Sequence, residues 1–248
     1  MRLTRVYIPP DTGRLHAGAD VTVPQAAAEH ITRVLRLRVG ANLIAFDGRG
    51  GEWQAQVGSI ARGRVTLKCL VHDAVERESN LHITLLQSLA RGEKMDWVIQ
   101  KASELGVQRI IPVSALRSVV QIDESRAATR LLHWRAVAAS ACEQCGRNRL
   151  PDILAPMSMA EACAADLPET RLVLAPGVAR TLALALGSVA AVTCLIGPEG
   201  GITSEELTAL QHSGFHAVSL GSRILRTETA AIAAIAALQL LRGDLAAC

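Results

Sequence analysis

The sequence predicts an α/β protein, with a mainly parallel sheet and covering helices preceded by a smaller β-rich domain. Two observations carry this. From Leu81 onward, short apolar runs alternate with segments of helical periodicity, as in βαβ units whose strands lie parallel. Before residue 73, short runs alternate apolar with polar residues and are broken by turn signals, as in a small barrel. A chain of 248 residues exceeds an average domain and suggests two, over 1–73 and 74–248, with the short charged stretch Ala74–Asn80 as linker.

In the first part, Val6-Tyr7-Ile8 runs into a proline-glycine break, and Asn42–Phe46 into Asp47-Gly48-Arg49-Gly50-Gly51, a strong turn signal. Glu52–Val57 and Arg64–Leu70 then alternate. Between these strands, Ala26–Leu37 reads as a helix that places His30, Arg33 and Arg36 on one face.

In the second part, Leu81–Gln87 is a strand followed by a helix with Met95, Val98, Ile99, Ala102 and Leu105 on its apolar face and Gly106 as its stop, then by the strand Arg109–Val113. Ala127–Cys145 reads as a long helix, and Ala160–Leu167 and Thr181–Gly187 as shorter ones. Three strands complete the sheet. Arg171–Ala175 ends at Pro176-Gly177; Val192–Ile196 runs into Gly197-Pro198-Glu199-Gly200-Gly201; and the strand starting at Ala217 leads into Gly221–Thr229, with two arginines and a glutamate. The glycines leave room for a flat ligand near the backbone, and Thr203 stands three residues before Glu206, the spacing of a capping box. Loops at the carboxyl ends of neighbouring strands converge on one pocket. A Rossmann fold is disfavoured, because no G-x-G-x-x-G follows the first strand. The last helix, Thr229–Leu241, is apolar all round from Ala230 to Leu238, so it is deeply internal or part of a subunit interface.

Half of the residues are hydrophobic and a fifth charged, enough apolar material for a sizeable core. The net charge of +3 divides unevenly: residues 1–73 carry 10 Lys+Arg against 6 Asp+Glu, which points to the first part as the phosphate-facing one. Cysteines at 69, 142, 145, 163, 194 and 248 show no metal spacing, and Cys142 and Cys145 sit one helical turn apart as packing residues. No apolar run is long enough to span a membrane and the N-terminus lacks a signal core, so the expected location is the cytoplasm, with reduced thiols and no metal.

The segments Leu195–Gly201 and Ser219–Ala230, together with Glu143-Gln144-Cys145-Gly146-Arg147-Asn148 and Lys101–Val107, resemble the RsmE-type methyltransferases of the SPOUT superfamily, which methylate N3 of a uridine in 16S ribosomal RNA. The resemblance implies a C-terminal SPOUT domain with a trefoil knot, one of the rare exceptions to unknotted topology, preceded by a PUA-like β-barrel domain that binds RNA. It implies S-adenosylmethionine as cofactor, 16S ribosomal RNA or the small ribosomal subunit as partner, and a homodimer through the C-terminal helix. Cofactor contacts are then expected from Leu174, Ala175, Gly177, Ile196, Gly197, Glu199, Gly200, Gly201, Leu220, Ile224, Leu225, Arg226 and Thr227. RNA contacts are expected from Arg5, Arg33, Arg36, Arg38, Arg91, Lys94 and Arg147. Uridine N3 is a poor nucleophile until its proton leaves, and the charge then placed on the ring oxygens calls for a cation, with Arg226 and Arg147 as candidates. Glu228 and Glu199 are the candidate bases, although capping the helix is also open to Glu228. The alternatives are a SPOUT ribose 2′-O methyltransferase and a non-catalytic RNA-binding factor.

Overall fold

The computed structural model describes residues 3–118 and 124–246; Met1, Arg2 and Cys248 lie outside them. Contacts divide the chain into two compact units, residues 1–78 with 139–150, and residues 79–138 with 151–248.

In the first unit, β1 (Arg5–Tyr7), β2 (Asp20–Thr22), α1 (Gln25–Glu29), β3 (Asn42–Phe46), β4 (Glu52–Ala61) and β5 (Arg64–Asp73) follow one another. The strands form a mixed sheet in the order β1-β3-β4-β5-β2, with β1 parallel to β3 and the other ladders antiparallel. Val6, Ile31, Leu43, Val57, Val65 and Leu67 lie in its core, which is why the strands alternate in sequence. The helix expected over 26–37 is shorter and changes character. After α1, residues His30–Val34 form a wider π-helical turn, in which the Leu35 N–H donates to the His30 carbonyl at 2.9 Å. Arg36 then takes φ +52° and ends it, so Arg36 does not share a helical face with His30 and Arg33.

The second unit continues with β6 (His82–Ser88), α2 (Lys94–Glu104), β7 (Arg109–Ser114), α3 (Glu124–Cys145), β8 (Asp152–Ile153), β9 (Met157–Ser158), α4 (Met159–Ala164), β10 (Arg171–Leu174), α5 (Leu182–Ala185), β11 (Ala191–Ile196), α6 (Ser204–His212), β12 (Phe215–Val218) and α7 (Thr227–Arg242). Helix α3 passes through both units, and its residues from Ala139 onward belong to the first. The sheet runs β12-β10-β11-β6-β7-β8 with every ladder parallel. Both faces are covered, so β6 and β11 are buried along nearly their whole length and read as continuous apolar runs. One face packs on α2, α7 and Trp134 of α3; the other on Ala162 of α4, Leu210 of α6 and Phe215. Helix α7 is mostly internal. Ala231, Ala234, Ile235 and Leu238 are fully enclosed, while Ile232, Ala233, Ala236 and Ala237 are half-buried and Leu240 is exposed.

Candidate cofactor and RNA site

Because β12, β10 and β11 are neighbours and parallel, the chain leaves all three at one edge of the sheet. The loops after Leu174, Ile196 and Val218 are thereby brought together. They are held by hydrogen bonds rather than by proximity alone: the Ala175 N–H donates to the Val218 carbonyl at 3.0 Å, and the Thr227 hydroxyl donates to the Gly197 carbonyl at 2.7 Å. The same hydroxyl accepts from Gln87 Nε2 at 3.0 Å, so the glycine loop, the start of α7 and the end of β6 form one bonded chain. Gln87 is fully buried, and sequence reasoning missed it because a polar residue within a strand run carries no sign of a partner 140 positions away.

The glycines serve the loop itself. A Cβ at Gly200 would stand 2.9 Å from Arg117 Cβ and 3.0 Å from the Arg117 carbonyl, and one at Gly197 would stand 2.8 Å from Ile202 Cγ1. The backbone that approaches Gly200 is therefore the protein's own, on the segment after β7. That segment is fixed in turn by Glu206, whose Oε1 accepts from the Leu116 N–H at 2.8 Å. Glu206 also completes the capping box: its carboxylate accepts from the Thr203 N–H at 2.9 Å, and the Thr203 hydroxyl from the Glu206 N–H at 3.1 Å.

Lys94, the first residue of α2, points at this cluster and joins two of the loops. Its Nζ lies 3.0 Å from Glu199 Oε1 and 3.5 Å from Glu228 Oε2. The hydrogen bond to Glu199 raises the Lys94 ammonium above its ordinary value. Partial burial pushes the Glu199 carboxyl up, but Lys94 and the N–H groups of Glu199 and Arg91 outweigh it, and the group stays ionised below the usual carboxylate range. Leu174, Ala175, Leu220 and Leu225 are half-buried around the loops, Arg226 is exposed, and Ile224 is 82% exposed. Ile196 and Thr227 are buried, Thr227 with its hydroxyl committed to the scaffold.

The candidates in the first unit fall into two groups. Arg33, Arg36 and Arg38 are exposed, Arg33 with only a long surface pair to Glu29 at 4.0 Å. Arg5 and Arg147 are 7% and 3% exposed. Arg5 pairs with Glu52, donates to the Arg147 carbonyl and to Asn148 Oδ1, and lies over the Phe46 ring. Arg147 grips Glu78 with both ends of its fork, at 2.9 and 2.6 Å. Burial works to lower its proton affinity, but the Glu78 carboxylate outweighs this and raises it. These are the surroundings of structural cations, and neither guanidinium is presented to a phosphate or a base. Arg91 is exposed in the second unit. Among the described residues no cluster of His, Cys, Asp and Glu is arranged to hold a metal, and no helix is long and apolar enough to cross a membrane.

An RNA methyltransferase domain model matches residues 77–239, and an RNA methyltransferase PUA domain model matches 23–70. A ribosomal RNA small subunit methyltransferase E from Buchnera aphidicola is 33% identical over 98% of each chain, and the Bacillus subtilis protein of that name is 28% identical over 98% of this chain and 100% of its own. Among solved structures, a methyltransferase from Legionella pneumophila in complex with SAM has a TM-score of 0.94 at 36% identity, covering 99% of this chain and 100% of that one. A ribosomal RNA small subunit methyltransferase E from Neisseria gonorrhoeae bound to S-adenosyl methionine gives 0.89 at 39% identity, covering 98% and 100%. Fold and family model define an RNA methyltransferase with an N-terminal PUA-like domain. Within that class, the chain belongs to the ribosomal RNA small subunit methyltransferase E family.

Proposed function

We propose that this protein transfers a methyl group from S-adenosylmethionine to N3 of a uridine in 16S ribosomal RNA. The observation that carries this reading is the row of three adjacent parallel strand ends whose loops are bonded together and bordered by Lys94, Glu199 and Glu228. The cradle fits the cofactor named in both solved relatives. Half-buried Leu174, Leu220 and Leu225 with exposed Ile224 offer apolar surface to an adenine, and backbone at Ala175, Gly177, Ile196, Gly197, Gly200 and Gly201 offers polar groups to a nucleoside and an amino acid. Glu199, Arg226 and Thr227 complete the contacts, Thr227 by holding the Gly197 carbonyl in place. When bound, the cofactor supplies an electrophilic methyl on a cationic sulfur, so little covalent work is left to the protein and positioning dominates.

Arg226, exposed at the N-cap of α7, is the cation for the charge that gathers on the uracil oxygens as the N3 proton leaves. Glu228, in the first turn of the same helix, is the carboxylate offered to that proton. Arg147 and Arg5 stabilise the first unit, and RNA phosphate falls to Arg33, Arg36, Arg38 and Arg91, with Lys94 at the cofactor loops. The half-buried outer side of α7 favours a homodimer through that helix. A knotted path through the loops after β10, β11 and β12, a division of labour near residues 73 and 74, and a cytoplasmic location belong to the same reading.

Two measurements test it. Calorimetry with S-adenosylmethionine should give saturable binding at one site per chain, and nucleosides from small-subunit RNA of a deletion strain should lack a base-methylated uridine. A missing ribose-methylated nucleoside would instead favour the 2′-O alternative, and absence of cofactor binding would favour a non-catalytic RNA-binding factor.

A further inference from the structure

Two carboxylates border the cofactor loops, and their hydrogen-bonding states differ. Glu199 is occupied: Oε1 takes Lys94 Nζ at 3.0 Å and the Arg91 N–H at 3.3 Å. Glu228 is not. Its Oε2 is buried without a hydrogen bond, 3.5 Å from Lys94 Nζ, its Oε1 makes no hydrogen bond among the described residues, and the side chain is 16% exposed. The carboxylate also stands in the first turn of α7, where the helix dipole favours negative charge. Lys94 on α2 is the cation that pairs with it among the described residues, and Lys94 is shared with Glu199 on the loop after β11. A carboxylate with unused lone pairs is thus kept beside the loops by one shared lysine.

We propose that Glu228 accepts the imide N3–H of the target uracil and thereby selects uracil over cytosine, with Lys94 as the positioning residue that holds it. This rests on the uridine reading above. A carboxylate offers only acceptors. Uracil presents a donor at N3, whereas cytosine presents a lone pair there, so cytosine would set acceptor against acceptor at a partly desolvated site. In the step itself the N3–H bond breaks, its electron pair stays on N3, and the proton passes to Glu228 Oε1 and from there to solvent. Lys94 keeps its charge paired throughout, because Glu199 remains ionised when Glu228 is protonated. A single lysine shared between two carboxylates suits a site where one of them changes charge.

The test uses the full chain and transcribed small-subunit RNA carrying uridine or 5-fluorouridine, whose N3–H is more acidic. Glu228→Gln should lower the methylation rate about 100-fold, leave S-adenosylmethionine affinity by calorimetry unchanged, and recover several-fold on the fluorinated RNA. Without cofactor, anisotropy should show that the unaltered protein prefers RNA with uracil over cytosine at the target position and that the variant loses this preference. Lys94→Met should give the same pattern in weaker form, and Lys94→Arg should restore part of it. A Glu228→Gln protein that methylates at the full rate, or whose loss is equal on both RNAs, overturns the proposal. A ribose-methylated product from the unaltered protein overturns the uridine reading itself, independently of any variant.

Discussion

Arg147 and Lys94 both grip carboxylates, yet their clusters have opposite characters. Around Arg147 the pairing is turned inward: Arg5, Glu52, Arg77, Glu78 and Asn148 bond to one another or to main-chain carbonyls, although Arg5 Nε is buried without a partner, and Arg147 is 3% exposed. Around Lys94 it is open, with side chains partly exposed and an oxygen of Glu228 unclaimed. A charge whose hydrogen bonds go mostly to groups within the protein holds a fold together. One left with spare valence has something to offer a ligand.

The contrast can be broken from either side. Arg147→Met leaves Glu78 a half-buried charge without its partner and should cost about 3 kcal/mol of stability, read by denaturant unfolding, while cofactor affinity in the surviving folded fraction stays the same. Arg226→Ala should do the reverse: methylation should fall about 100-fold or more with the unfolding midpoint unmoved. Thr203→Ala, which removes half of a capping box beside the glycine loop, should cost about 1 kcal/mol and weaken cofactor binding only slightly. Acid should loosen the Arg147 cluster. Burial pushes Glu52 up, but the hydrogen bonds from Arg77 and Arg5 prevail and hold it below its ordinary value. Its contribution is thus present above the unfolded carboxylate value of about 4.3 and is lost as pH falls through the lower folded one; Glu52→Gln should flatten that part of the stability profile. The smallest effect concerns α7. Leu240→Asp on its exposed side should shift the sedimentation of the proposed dimer toward monomer with little loss of fold, whereas Ile235 is enclosed in the core and would report on that instead.

What the sequence made legible was local. The capping box Thr203/Glu206, the strand that runs into Gly197 and the βαβ unit over 82–114 depend on residues a few positions apart, and each formed as expected. The roles of the arginines were not legible, because Arg5 meets Glu52 and Asn148 across 47 and 143 positions, and no spacing rule reports such partners. A basic residue with an unseen partner reads as a phosphate ligand. Ala26–Leu37 misled for another reason: helical and π-helical turns bury the same small apolar residues, and the left-handed Arg36 has no side-chain signature. The glycines read as room for a ligand, whereas at Gly200 the neighbour that a side chain would meet is Arg117, 83 positions away.

The membership of Ala139–Leu150 in the first unit bears on how the chain is made. During synthesis from the N-terminus, Arg5 and Glu52 emerge long before Arg147 and Asn148, and much of the second unit's sequence must be translated in between. The N-terminal unit therefore cannot complete its ion network cotranslationally as a leading domain. Until residue 150 has left the ribosome, Glu78 has no Arg147 and Arg5 lacks Asn148, so a nascent chain stalled near residue 100 should show the first unit's strands protected less firmly than in the finished protein.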